Sequence, residues 1–286
     1  MRCDGKKIKI DDPVYALIPY FLTKRYDAMN MITIDISETP MRAYMNARRR
    51  EGKPVSHLAL ILTAYLHTME KFPALNRFIV GHTIYEHNDI TVSMVVLKPG
   101  TDLDTMSKIR LDYGDDVFDV QNKISSYIEQ NRQQGEANAL DALMNKLVKM
   151  SGLLSVATGL LRLADRLGWL PRSLIDASPF HASMLITNLA SIRTNHIYHH
   201  VYQFGTTSVS VAMGNLREVP RRTKDGFTFE RCIPLGIVMD ERIASGHYFA
   251  QAFAVLKKYL ANPELLEREH LLEEKAIAAL PENTEA

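Results

Sequence analysis

Histidine is the residue best equipped for proton chemistry in this chain, which carries ten of them. Three fall in the tract Asn195-His196-Ile197-Tyr198-His199-His200-Val201-Tyr202. A neutral imidazole titrates near neutral pH and so suits general base catalysis. His199 and His200 are therefore the leading candidates for a base. A metal site from His196, His199 and His200 lacks a nearby Cys or carboxylate to complete it, and no metal is expected. His247 follows Gly246 at the start of a predicted helix, where the dipole favours the neutral ring. Glu241 is a weak base at neutral pH unless burial raises its pKa, and a pair with adjacent Arg242 would oppose that rise. A Glu241–Arg242 pair ordering a turn is the simpler expectation for those two. Cys3 and Cys232 are too far apart in sequence to read as a disulfide framework or zinc cluster.

These residues are set in a chain of 286, with 34 basic and 33 acidic residues and a net charge of +1. That balance excludes a whole-chain polycation, so no nucleic-acid partner is expected. The 46% hydrophobic and 23% charged content excludes a disordered chain. The length suits one large domain or two small ones, and with no Pro/Gly/Ser linker to separate two, a single domain over residues 1–286 is expected. The start carries charges before anything apolar, so no secretory signal is read there. The most apolar stretch, Met150 to Leu161, is twelve residues long, against roughly 20 for a membrane span. No transmembrane segment is expected, and the cytoplasm, with both thiols reduced, is the expected location.

The elements that must position the candidates follow from periodicity. Met31 to Ile36 alternates as a strand. Thr39-Pro40 opens a helix that Lys53-Pro54 ends. Val55 to Lys71 is a helix, with Leu58, Leu62, Tyr65, Leu66 and Met69 at three- and four-residue steps and Ser56 as a cap. Arg77 to Leu97 reads as strand, turn, strand. Asp115 to Gln133 is an amphipathic helix, and Ala137 to Leu167 is a Leu/Met-rich one ended by Gly168 and Pro171. Strands return at 183–189, 206–214 and 227–239, and a last strong helix spans about 246–260. Asp115-Asp116 reads as ordinary helix-end charge, and 270–286 as a flexible tail. No G-x-G-x-x-G or P-loop spacing occurs. The pattern predicts an α/β (α+β) fold, a mixed sheet with helices on one side.

Four segments, in order, resemble one family. Residues 54–79 (PVSHLALILTAYLHTMEKFPALNRFI), 184–191 (MLITNLAS), 206–214 (TTSVSVAMG) and 233–266 (from IPLGIVMDERIASG) are similar to the catalytic domain of the dihydrolipoyl acyltransferases of 2-oxoacid dehydrogenase complexes. Chloramphenicol acetyltransferase shares that fold. The resemblance implies a two-layer sandwich, homotrimers or multiples of them, and active sites between subunits. It implies acyl-coenzyme A as co-substrate, with no tightly bound cofactor, and an unidentified small or lipophilic acceptor. Thr187 stands where the family's oxyanion-stabilising Ser does, and its hydroxyl can still donate.

The family's signature, His-Arg-x-x-Asp-Gly or His-His-x-x-x-Asp-Gly, is altered. Here it reads Asp240-Glu241-Arg242-Ile243-Ala244-Ser245-Gly246. Asp240, Arg242 and Gly246 match, but Glu241 replaces the base and Ser245 the Asp. The resemblance therefore implies a transferase with a relocated base (His199 or His200, less readily Glu241 or His247), Arg242 ordering the site. The rival expectation is a catalytically inactive trimeric scaffold or ligand-binding homologue. Arg48-Arg49-Arg50 and Arg217 to Lys224 are expected as solvated loops, or as contacts to coenzyme A phosphates. The helical insertion of about 136–179 has too many apolar residues for one solvated helix, and needs the sheet, a neighbouring subunit or a lipophilic ligand to cover it.

Overall fold

The computed structural model describes residues 2–97, 104–133 and 151–278. In chain order the elements are β1 (Gly5–Lys7), α1 (Pro13–Phe21), β2 (Met29–Ser37), α2 (Glu38–Arg50), α3 (His57–Lys71), β3 (Arg77–Val80), β4 (Thr83–His87), β5 (Ile90–Leu97), β6 (Asp104–Leu111) and α4 (Val117–Gln133). They continue with α5 (Ser151–Leu167), α6 (Arg172–Ala177), β7 (Met184–Asn188), β8 (Val209–Met213), β9 (Arg217–Thr223), β10 (Gly226–Asp240), α7 (Gly246–Ala261) and α8 (Arg268–Ala278).

A mixed sheet organises the molecule, in the order β2-β10-β8-β7-β5-β6, with β9 paired to the first half of β10. The β5–β7 and β7–β8 pairs are parallel, and the other pairs of this sheet are antiparallel. Alternation along the strands gives its two faces different chemistry. Ile34, Ile36, Ile186, Val211, Met213, Leu235 and Ile237 join one core with buried residues of α2, α3, α4 and α7. The opposite face carries Thr33, Asp35, Ser93, Thr187, Ser210, Gly236 and Asp240. No helix of that core covers it. Segments 175–183 and 195–207 roof it instead: Ser93 Oγ donates to Pro179 O at 2.5 Å, and Lys108 Nζ donates to Ile175 O and His181 O at 2.6 and 2.8 Å.

Helix α3 is buried on every side from Ala59 to Met69 rather than amphipathic. Thr63 and Thr68 tolerate this because their hydroxyls donate to the carbonyls four residues back. Ser56 does cap it, accepting from Ala59 N at 3.2 Å. The first strand of the expected 77–97 pair is in fact two. Gly81, at φ +62°, turns the chain between β3 and β4, which form a separate sheet with β1. Residues 217–223 are not a loop: they pair with β10 as β9. Asp115 and Asp116 are buried, and Asp116 Oδ1 accepts from the amides of Phe118 and Asp119 to open α4.

The Leu-rich insertion was expected from about 136 to 179, and its first part, to residue 150, lies outside the described residues. So do residues 279–286 of the expected tail, while α8 continues helix to Ala278. Of the insertion's rest, α5 ends at Gly168, at φ +70°, and α6 follows Pro171. Arg2 fastens the last turn of α5 to the chain's start. Its guanidinium binds Asp4 at 2.7 and 2.8 Å, Asp165 O at 2.6 Å and the Asp165 carboxylate at 2.9 Å. The chain on either side of Cys3 is thus pinned, and Cys232 is buried on β10.

Candidate active site

Thr187 sits on β7 facing the roofed side of the sheet. Its Oγ1 is buried and has no hydrogen-bond partner among the described residues. An unpaired buried hydroxyl costs free energy, of order 1–3 kcal/mol, so a donor aimed at nothing invites a functional reading. The sheet register extends from it in one row: Thr187 pairs with Ala212, Ala212 with Gly236, and Gly236 with Thr33. Neighbouring strands lie about 4.8 Å apart, so Thr187 and Thr33 are about 14 Å apart across the row. Its two middle positions carry the smallest side chains, a methyl group and a hydrogen.

His196 lies over that row. A Cβ built on Gly236 would come within 3.0 Å of His196 Cδ2 and 2.3 Å of Ile197 O, and one on Gly214 within 2.2 Å of His196 N. The two glycines thus let the 195–198 segment rest directly on the sheet. His196 Nε2 meets Thr33 Oγ1 at 2.9 Å, and Thr33 Oγ1 meets Tyr198 OH at 2.6 Å. When Nε2–H donates to Thr33, the lone pair sits on Nδ1, which is buried and without a partner among the described residues. Burial holds the ring below the usual histidine value, helped by the Arg217 guanidinium and opposed by Asp35. Arg217 and Asp35 are bound to each other at 2.9 and 3.0 Å.

The signature segment lies at the other end of β10. Asp240 is fully buried and holds Arg242 bidentately, at 2.8 and 2.6 Å. The turn is therefore ordered by an Asp240–Arg242 pair, not by Glu241–Arg242. Glu241 is half-buried and accepts from Asn30 Nδ2 at 2.7 Å. Arg25 approaches the same Asp240 carboxylate at 3.4 Å and donates to the Tyr202 and Gly205 carbonyls. Burial lowers its pKa, with Asp240 opposing. Ser245 caps α7, accepting from Tyr248 N at 3.1 Å, and His247 is exposed in the first turn of that helix. Arg242, Ser245, Arg77 and Tyr248 line a cleft of about 200 Å³.

His199 and His200 belong to a different cluster. Their rings stack at 5.1 Å and both contact Tyr202, which meets Phe180. His199 Nδ1 is 2.9 Å from His200 O. No contact joins either to Thr187 or to Glu241 among the described residues. The geometry brings together Thr33, His196 and Tyr198, with Thr187 in the same row three strands from Thr33; it leaves Glu241, Ser245 and His247 at the other end of β10 with Arg242. Thr33, Tyr198, Asn30 and Gly236 were not singled out by sequence. The available signals were the polar phase of β2 and the glycines interrupting apolar strands. The basic clusters are engaged in part: Arg48 binds Glu51 and Glu267, Arg217 binds Asp35, and Arg221 binds Glu230. Among the described residues no group of three His, Cys, Asp or Glu can hold a metal ion, and no helix is long and apolar enough to cross a membrane.

No protein-family model matches the chain, and a search of curated proteins gives no match. Solved structures do match. One is a probable dihydrolipoamide acetyltransferase from Listeria monocytogenes, with 16% identity, TM-score 0.59, and 92% of this chain and 96% of that one covered. A second is the cubic core of the pyruvate dehydrogenase multienzyme complex, with 14% identity, TM-score 0.59, and 91% and 94% covered. A chloramphenicol acetyltransferase matches with 12% identity, TM-score 0.54, and 90% and 99% covered. At such identities the likeness establishes the fold. It is the one the sequence resemblance led us to expect: the two-layer α/β sandwich of these acyltransferase cores.

Proposed function

We propose that the chain transfers an acyl group from a coenzyme A thioester to a small or lipophilic acceptor, on the row that joins Thr187 to Thr33. The observation that carries this reading is the presence of two unpartnered groups, a buried hydroxyl and a buried imidazole nitrogen, on either side of the row's two small residues, Ala212 and Gly236. On this reading the thioester carbonyl lies over Ala212, between them.

His196 Nδ1 takes the proton from the acceptor's thiol or hydroxyl, whose electron pair forms the new bond to the carbonyl carbon. The carbonyl oxygen becomes an oxyanion, and Thr187 Oγ1 donates to it. Collapse of the tetrahedral intermediate breaks the carbon–sulfur bond, and the proton on His196 passes to the departing thiolate. Thr33 and Tyr198 hold the ring in the tautomer that leaves Nδ1 free. His199, His200, Glu241 and His247 are assigned no proton transfer on this reading, and Arg242 orders the turn through Asp240. The coenzyme is a co-substrate rather than a resident group. Like the cubic core it resembles in fold, the chain is proposed to assemble, as homotrimers or multiples of them.

One observation favours the inactive scaffold: the signature positions are spent on structure, Glu241 on Asn30 and Ser245 on the helix cap. Thermal unfolding with acetyl-, butyryl- and long-chain acyl-coenzyme A separates the two. A thioester at 100 times its dissociation constant should stabilise the native state by about 2.7 kcal/mol. No shift with any thioester contradicts the transferase.

A further inference from the structure

A second cleft, of about 630 Å³, opens where β8 begins, between α5, the β3–β4 turn and the segment that precedes β2. Its walls carry Lys24, Arg162, Arg166 and Gln203, and Arg242 reaches its floor. Ser208 O bonds Asp240 N at this end of the sheet, while Thr187 pairs with Ala212 four residues further on. At 3.3 Å per residue the two places are about 13 Å apart along β8.

The cleft's unpaired charged groups are cationic donors. Lys24, Arg162 and Arg166 have no ion pair among the described residues; the exposed Lys24 ammonium overlies the Tyr26 ring, at 5.3 Å, and interacts with its hydroxyl. Gln203 has spent its carbonyl oxygen on Arg25 N, at 2.7 Å, which leaves its amide hydrogens to donate. One carboxylate lines the cleft, that of Asp165, and it is occupied: Arg2 at 2.9 Å, His181 Nε2 at 3.2 Å and Gly205 N at 3.3 Å all bind it. That same anchoring of Asp165 fixes the last turns of α5, and so the two arginines one turn apart on it. Arg162 and Arg166 are about 6 Å apart along the helix axis, a spacing that brackets two linked phosphates rather than one.

We infer that this cleft binds a small molecule bearing a diphosphate group, held between Lys24 on one wall and Arg162 and Arg166 on the other. Arginine forks suit phosphate oxygens, and a lining whose unpaired charges are all cationic favours an anionic ligand. The inference stands apart from acyl transfer at Thr187, since no residue is shared between the two places.

Titration calorimetry on the full chain, at low salt, tests it with inorganic diphosphate, ADP and coenzyme A, and with sulfate as control. Diphosphate should bind more tightly than sulfate, and R162Q/R166Q should weaken it by about tenfold or more. K24Q should weaken it less, and Thr187→Val should leave it unchanged. Tighter binding of ADP than of coenzyme A, or the reverse, identifies which organic portion the cleft accepts alongside the diphosphate. Both arginines are on an exposed helix face, so a melting temperature equal to that of the parent protein certifies the fold. Diphosphate binding no tighter than sulfate, or unaltered in R162Q/R166Q, overturns the inference, whatever thioesters do.

Discussion

Thr187 and His196 each present one buried polar atom with no partner among the described residues. Their chemistry differs, and so do the effects of removing them. Thr187→Val keeps the shape and loses the donor, so turnover of a thioester should fall by about 10²–10³ with KM little changed, as steady-state assays of thiol release would show. A fall in affinity without a fall in kcat would instead make Thr187 a binding group. His196 must be neutral to act as base. Because burial and Arg217 lower its pKa, the acid limb of kcat/KM should lie below the ordinary histidine value of about 6.5, with the rate flat above it. An acid limb at or above that value contradicts the assignment. On the proposed reading the base lies in the tract that sequence singled out, at His196 rather than at His199 or His200. His199 and His200 look equivalent to His196 in the chain, and only the glycines beneath the tract decide which ring reaches the sheet.

At the scale of elements, the polar face of the sheet depends on its roof. Gly236→Ala puts a methyl group 2.3 Å from Ile197 O, and backbone cannot yield as a flexible side chain can. The 195–198 segment must lift, so activity should be lost while the helix-backed core survives. Comparing far-ultraviolet circular dichroism with thiol-release rates checks both halves; an active Gly236→Ala enzyme would show that the roof does not position His196. Most of the helices were legible, because α3, α4 and α7 carry apolar periodicity and their ends carry caps. The split of β3 from β4, the strand β9 and the short helix α1 were not. The first hangs on one glycine turn. The second is an exposed ribbon with no apolar phase, held by pairing to β10 alone.

For the whole molecule, the unfinished surfaces are apolar. Helix α5 leaves Leu160 61% and Leu163 51% exposed, Trp169 beyond it is 73% exposed, and Phe21 at the end of α1 is 81% exposed. Surfaces of this kind are covered in assemblies, so sedimentation should give about three times 32.4 kDa or a multiple of that. L160E/L163E should shift the mass toward one chain; a parent protein already sedimenting at 32.4 kDa contradicts assembly. Fold alone does not decide between transferase and scaffold, because a likeness at 12–16% identity establishes architecture and not activity. The most direct measurement is single-turnover release of coenzyme A from acetyl-coenzyme A, resolved by chromatography, with a small thiol or alcohol as acceptor, in H196Q beside H199Q/H200Q. Acyl transfer over the Thr187–His196 row predicts a loss of about 10²–10⁴ in H196Q and a rate near that of the parent enzyme in H199Q/H200Q. An unaltered rate in H196Q would contradict it.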